Sequence, residues 1–262
     1  TAQVGTAGRG GSRGGGGGMC STFAGALTTK QTSQDNREGA SGRLATLDIE
    51  IVSSTIRDGT LAPFNNLIYI SDSSAGQTGS TPKRGIRLKN GAIMPNNGIT
   101  VASANPVYIQ GDYNTGGSNP PSNTGDYSKP QVNGYTRKPC AVVADAVNIL
   151  SNSWVDGNCS GSLSSRIASN TTVNTAIVSG IVPTLNNYYS GGPANFPRFL
   201  EHWSSKTMTY YGSMVELYQS KQAISRWGSA NVYNPPNRQW FFDTNLQVYT
   251  PPGSLPVYSY TK

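Results

Sequence analysis

Residues 85–111 read GIRLKNGAIMPNNGITVASANPVYIQG, and the punctuation of this stretch decides the fold. Gly85-Ile86-Arg87-Leu88 alternates and stops at Asn90-Gly91. Ile93-Met94 runs into Pro95-Asn96-Asn97-Gly98, Ile99-Thr100-Val101 follows, and after Asn105-Pro106 comes Val107-Tyr108-Ile109. Asn-Gly pairs are strong turn chemistry, because both residues tolerate positive φ. Strands of a few residues at short, regular intervals favour a mainly β chain wound as a parallel β-solenoid (β-helix) over a sandwich, whose strands run longer. The expected hand is right, the usual one for parallel crossovers.

Outward from this stretch the same grammar continues. Leu67-Ile68-Tyr69-Ile70 ends at Ser71-Asp72-Ser73-Ser74, and the alternation from Leu44 to Ile56 predicts a strand at roughly 46–53. Four stretches place a small residue (Gly111, Ala146, Gly180, Ser213) before apolar alternation, at separations of 35, 34 and 33. Stacked rungs need a small side chain where the backbone turns beside its neighbour, so this recurrence reads as a repeat. Residues 114–138, rich in Gly, Asn, Pro and Ser, read as a projecting loop. One short helix is expected at 195–203: Asn195 caps, Pro197 fits the first turn, and Phe196, Phe199, Leu200 and Trp203 share a face. The tail, with Pro235, Pro236, Pro251, Pro252 and Pro256 around Trp240, Phe241 and Phe242, reads as an extended strip that caps one end. The division expected is a glycine-rich arm or linker at 1–20, a strand region at 21–64, and a solenoid with its C-terminal cap at 65–262. The arm holds the run Gly14 to Gly18, and alone such a segment cannot offset the entropy of ordering it.

Composition agrees. With 31 Gly and 16 Pro in 262 residues and only 13% charged positions, a coiled coil or helical bundle is excluded. No run approaches the ~18 apolar residues that a membrane helix needs. The net charge of +7 admits polyanionic partners, but the cations are scattered. The densest group, Lys83, Arg84, Arg87 and Lys89, reads as the solvent face of a strand, and no aromatic-interleaved basic motif supports nucleic-acid binding. A glycine loop that cradles phosphate needs a strand before it and a helix after it, which the arm lacks. The chain carries no signal peptide and does not begin with Met, so it reads as a processed product or an excised fragment.

Cys140 and Cys159 bracket a strand-like segment, and a bridge between them would close a modest loop worth roughly 3 kcal/mol. Cys20 is left over, as an intermolecular partner or an inert residue. No CxxC pair exists, and with His202 as the single histidine no His/Cys zinc set assembles; no metal or cofactor is expected.

Five stretches carry a family resemblance: NGITVASANPVYIQGDYNTG (97–116), CAVVADAVNILSNSW (140–154), TTVNTAIVSGIVPT (171–184), NFPRFLEHWSSKTMTYYGSMVELYQSKQA (195–223) and VYNPPNRQWFFDTNL (232–246). In order and spacing, over about residues 85–257, they resemble an uncharacterised C-terminal domain of bacterial surface proteins that often follows a PilX-type pilus assembly segment. The resemblance implies an exported, pilus- or envelope-associated β-solenoid with no assigned catalytic activity.

Four carboxylates fall at solenoid-like positions: Asp112, Asp145, Asp156 and Asp243. Clustered Asp on one wall does acid–base work in β-helical polysaccharide lyases and hydrolases, and Asp112 with Asp145 are the catalytic candidates. The alternative is that each caps a turn. His202 beside Trp203 reads as a packed histidine, and no nucleophile elbow exists. Tyr188-Tyr189 and Tyr210-Tyr211 offer stacking faces for sugars, with Tyr210 and Tyr211 the ligand-binding candidates, or are ordinary wall residues. The reading is an extracellular or cell-surface bacterial protein, structural or adhesive, assembling with copies of itself or other pilus or filament subunits. The runner-up is a carbohydrate-active enzyme or glycan-binding module.

Overall fold

A computed structural model describes residues 2–6, 25–38, 40–58, 65–72, 83–117, 136–185, 189–225, 227 and 232–254. The protein is mainly β with parallel sheets. Its strands are β1 (Ala2–Thr6), β2 (Leu27–Asp35), β3 (Ala40–Asp48), β4 (Leu67–Asp72), β5 (Lys83–Lys89), β6 (Thr100–Ala102), β7 (Val107–Gln110) and β8 (Ala141–Ala144). There follow β9 (Val147–Leu150), β10 (Thr171–Asn174), β11 (Ala176–Ile181), β12 (Arg198–Phe199), β13 (Thr207–Gly212), β14 (Met214–Gln219) and β15 (Asn237–Phe242). Among the described residues one α-helix, α1 (Ile49–Arg57), follows β3.

The first sheet runs β1-β4-β6-β8-β11-β14, the second β12-β9-β7-β5-β3-β2, and the third β10-β13-β15. The chain alternates between second and first from β3 to β9, then visits third, first, second, third and first from β10 to β14. Pairing is parallel throughout except at the sheet ends, where β1 lies antiparallel on β4 and β2 on β3. β2 and β3 therefore belong to the same sheet as β5, β7, β9 and β12, and β1 pairs with β4 of its own chain. Among the described residues no helix is long and apolar enough to cross a membrane.

Register explains the core. Ile68, Val101, Val142 and Ile177 align across the first sheet, and Leu47, Leu88, Ile109, Ile149 and Phe199 across the second. All nine are fully buried in one cluster. Each removes a large apolar side chain from water, worth about 1.5–3 kcal/mol. The corners follow the turn chemistry read from the sequence: Asn90 sits at φ 58° and Gly98 at φ 72°. Any side chain at Gly98 would strike the Pro139 carbonyl, so the position needs both the conformation and the space of glycine. Farther on, Asn114 and Asn174 exchange side-chain bonds, each amide donating to the other's backbone carbonyl at 2.8 and 2.9 Å.

Several expectations are corrected. The strand at 46–53 ends at Asp48, whose carboxylate caps α1 by accepting from the Ile51 N–H at 3.2 Å. Ile49 and Val52 then bury one helical face. The helix at 195–203 is absent: a short 3-10 turn spans Gly192–Asn195 and Arg198-Phe199 pairs with Asn148-Ile149. Phe199 faces the main core and Leu200 a second cluster, so adjacent apolar residues serve opposite sides, as a strand requires and a helix does not. The small residues Gly111, Ala146, Gly180 and Ser213 do not share a register. Of the residues that do align, Ile68, Val101, Val142 and Ile177 of the first sheet are 33, 41 and 35 apart, while Leu47, Leu88, Ile109, Ile149 and Phe199 of the second are unevenly spaced.

The expected bridge is not formed. Cys140 and Cys159 are both free, buried thiols, packed in different apolar clusters on the two sides of the second sheet. Cys20 and most of the 114–138 loop lie outside the described residues. Trp240 to Phe242 lie in β15, the extended edge strand of the third sheet, paired in parallel with β13.

Candidate functional site

The outer face of the second sheet carries a buried polar layer. Thr46, Arg87, Tyr108, Asn148 and Arg198 align in register and point away from the core, yet each is under 10% exposed. The β2–β3 turn and the loop after β9 lie over them. This corrects the reading of Arg87 as solvent-facing. Its guanidinium reaches both oxygens of Asp156 at 2.9 Å, and also meets Thr46 Oγ1 at 2.9 Å and Gln31 Oε1 at 2.6 Å.

At the centre of the layer, the Tyr108 hydroxyl donates to Asp35 Oδ2 at 2.8 Å, and Asp35 Oδ1 accepts the Arg37 N–H at 2.9 Å. Arg198 pairs with Glu38 at 3.0 Å and donates to the Ala223 carbonyl at 2.6 Å. Arg37 bonds the Asn195 side chain and lies over the Tyr233 ring at 5.5 Å. Burial, and then the neighbouring Arg198 charge, lowers the Arg37 guanidinium to about 10. Burial, and then the Asp35 carboxylate, raises the Tyr108 phenol well above its usual range. Gly85 is required beneath the Tyr108 ring, because a Cβ there would lie 2.6 Å from Cε2. Between Asp35, Glu38, Arg84, Tyr108 and Gln222 lies a recess of about 20 Å³, room for one water molecule. The Asn148 amide is fully buried and has no partner for its nitrogen or its oxygen.

A second group adjoins it. Glu201, fully buried, accepts from the Ser151 N–H at 2.6 Å and its hydroxyl at 2.7 Å. Burial pushes its carboxyl up to about 7, against the pull of those bonds and of the Arg166 charge. Arg166 donates to the carbonyls of Leu200 and Val232. It also lines an open groove of about 470 Å³ between the β2–β3 turn and residues 160–163. The chemistry available here is ionic and hydrogen-bonding, with one carboxyl that titrates near neutrality.

The carboxylates singled out by sequence all have structural partners. Asp112 accepts the Thr172 N–H at 2.8 Å. Asp145 accepts three backbone N–H groups, from Lys221, Gln222 and Ala223, at 2.5, 3.0 and 2.8 Å. The two do not meet: Asp112 follows the end of β7 and Asp145 precedes the start of the adjacent β9. A four-residue strand, about 13 Å at ~3.3 Å per residue, lies between those positions. Asp156 pairs with Arg87, and Asp243 takes Arg137 in a two-bond pair at 3.0 and 2.8 Å.

Tyr210 and Tyr211 are buried, which removes them as sugar platforms. The Tyr210 hydroxyl donates to the Thr175 and Ser213 carbonyls, and Tyr211 stacks on Phe241 at 4.8 Å. Of the other pair, Tyr189 is exposed, edge-on to Trp227 at 5.4 Å. His202 is half-buried, in a bridge position between Ile167 and Asn234. Among the described residues no three His, Cys, Asp or Glu side chains are grouped to hold a metal ion.

Little local in the sequence singles out Asp35, Glu38, Arg198 and Glu201, because the side chains that pair with them lie 50 to 160 positions away. The one local signal was Arg198-Phe199-Leu200-Glu201, two charges inside an apolar run that had to be buried. Comparison of the chain with protein-family models, with curated proteins and with solved structures gave no match in any of the three.

Proposed function

We propose that the chain is an exported structural or adhesive protein of a bacterial surface, pilus- or filament-associated. In this reading it is wound as a right-handed β-solenoid over residues 65–262 and assembles end to end with copies of itself. The single observation behind it is the edge strand β14. It closes one side of the first sheet with Val215 at 42%, Leu217 at 69% and Tyr218 at 39% exposure. A parallel edge with apolar side chains in water is a template for another strand, and β14 carries a single charge, Glu216, and no Lys or Pro to blunt it. The opposite edge of the same sheet is β1, so a neighbour's β1 laid on β14 would continue the sheet. A contact between two different edges is heterologous, and where its rotation does not close into a ring it propagates as a filament. The resemblance to PilX-associated surface domains points the same way.

Electron microscopy and light scattering of the purified chain over a range of concentrations test the proposal. Filaments or concentration-dependent association are expected, lost on Val215→Lys with Leu217→Lys while the Tm is kept. A chain that stays monomeric throughout, or association untouched by these substitutions, refutes it.

A further inference from the structure

We propose that Arg43 and Arg84, side by side at the entry to the second sheet, bind a phosphate or sulfate group. This goes beyond the assembly reading and does not depend on it. The two are register partners on β3 and β5, so they share a face at the ~4.8 Å spacing of neighbouring strands. Like charges placed directly opposite one another weaken a sheet, so the pair calls for a counter-charge.

The described residues do not supply one. Among them neither arginine forms an ion pair or a side-chain hydrogen bond, and the Arg84 Nε is buried without a partner. Asp35 and Glu38 border a recess with Arg84, but both are engaged elsewhere. Asp35 accepts the Tyr108 hydroxyl and the Arg37 N–H, and Glu38 takes Arg198 and the Ser225 N–H. Asp72, at the end of β4, is buried and has a partner of its own. In the sequence, neither Ser73 to Pro82 nor Gly39 to Gly42 contains an acid.

Access and chemistry suit an exchangeable oxyanion. Arg43 is exposed and Arg84 half-buried, so both are reached from solvent. Thr32, opposite Arg43 on β2 and also exposed, adds a hydroxyl donor to the same row. A guanidinium fork gives two parallel N–H bonds to one oxyanion. A tetrahedral group has oxygens enough to accept from both forks at once, whereas the two oxygens of a carboxylate satisfy one. The chain's net charge of +7 favours approach of an anion at low ionic strength.

The test is calorimetric titration of the full chain with inorganic phosphate, inorganic sulfate and a sulfated oligosaccharide. The controls, at equal ionic strength, are acetate for the ions and the desulfated sugar for the oligosaccharide. At least one probe is expected to bind tenfold or more tighter than its control, and more weakly in 0.5 M salt. Inorganic ions that bind as well as the sugar mark a free-ion site; binding of the sugar alone marks an ester on a polymer. Arg84→Gln and Arg43→Glu are each expected to weaken binding at least tenfold. Arg43→Glu also sets an acid opposite Arg84, so its Tm is expected to hold or rise, where loss of a structural arginine would lower it. No binding beyond the controls, binding kept in both variants, or a lower Tm for Arg43→Glu overturns the proposal.

Discussion

Asp145→Asn separates a structural carboxylate from a catalytic one. Asp145 sits at the corner between β8 and β9, 6% exposed. Its Oδ1 accepts from the Lys221 N–H, its Oδ2 from those of Gln222 and Ala223, and its backbone carbonyl accepts the Ser220 hydroxyl at 2.7 Å. The segment that leaves β14 is thus tied to a corner two strands of the first sheet away. Asparagine has the same shape but a single acceptor oxygen. In either orientation its NH2 faces at least one N–H donor, and the charge that strengthened all three bonds is gone. Hydrogen bonds to a charged group are worth about 1.5–3 kcal/mol each, and a buried amide left unpaired costs about 1–3 more, so a loss of about 3 kcal/mol is expected. At ~2–4 °C per kcal/mol for a chain of this size, the Tm falls by roughly 6–12 °C. Thermal unfolding followed by circular dichroism reads the shift, and hydrogen exchange at the amides of residues 221–223 locates it. An unchanged or higher Tm with those amides still protected refutes the reasoning. That is the behaviour of an active-site carboxylate held at a cost to stability.

Three further outcomes are expected. Glu201 titrates near 7 in the folded chain against 4.5 for an ordinary glutamate, so the folded state holds the extra proton between those values. Its contribution is full below about 4.5 and is lost as the pH rises through 7, about 3 kcal/mol in all, and Glu201→Gln should flatten that slope in urea titrations run from pH 5 to 8. Arg137→Ala or Asp243→Ala breaks a pair with side chains 2% and 6% exposed, and either should cost about 3–5 kcal/mol by chemical denaturation, the double variant costing less than the sum. Cys140, pushed up to about 12 by burial, and Cys159 should both be recovered as thiols by mass spectrometry of unreduced protein, and both should react with iodoacetamide only after denaturation.

What was legible in the sequence was local. β4 to β7 fall where alternation and Asn-Gly turns put them, because a short strand between two φ-positive corners has its signal within a dozen residues. The stretch 44–56 misled because Leu44, Leu47, Ile49 and Ile51 alternate as in a strand, while Asp48, Glu50 and Arg57 carry the cap and end charges of a helix; the cap decides where the strand stops. At 195–203 the spacing fits a helix equally well, and only pairing with β9 selects the extended form. The polar layer was illegible for another reason. Alternation assigns Arg87, Tyr108 and Arg198 to an outward face, but nothing local says that a turn and a loop will roof that face. The Glu38–Arg198 pair spans 160 positions, and its acid comes from a region with no apolar pattern to place it.

The brevity of β12 has a mechanical consequence. It joins the second sheet through a strand of two residues, whereas β13 and β14, laid down on either side of the chain's next turn, have six each. A load applied across the stacked strands is shared by ladders in parallel, and the shortest ladder parts first. Tension between the two ends is therefore expected to open the seam between β9 and β12 while the first and third sheets still hold, with the Arg198–Glu38 pair and the Ser151–Glu201 bonds as the remaining ties. A yield point below the rupture force is the expected result, and a single-molecule pulling trace should record it as a small early extension that recovers on relaxation.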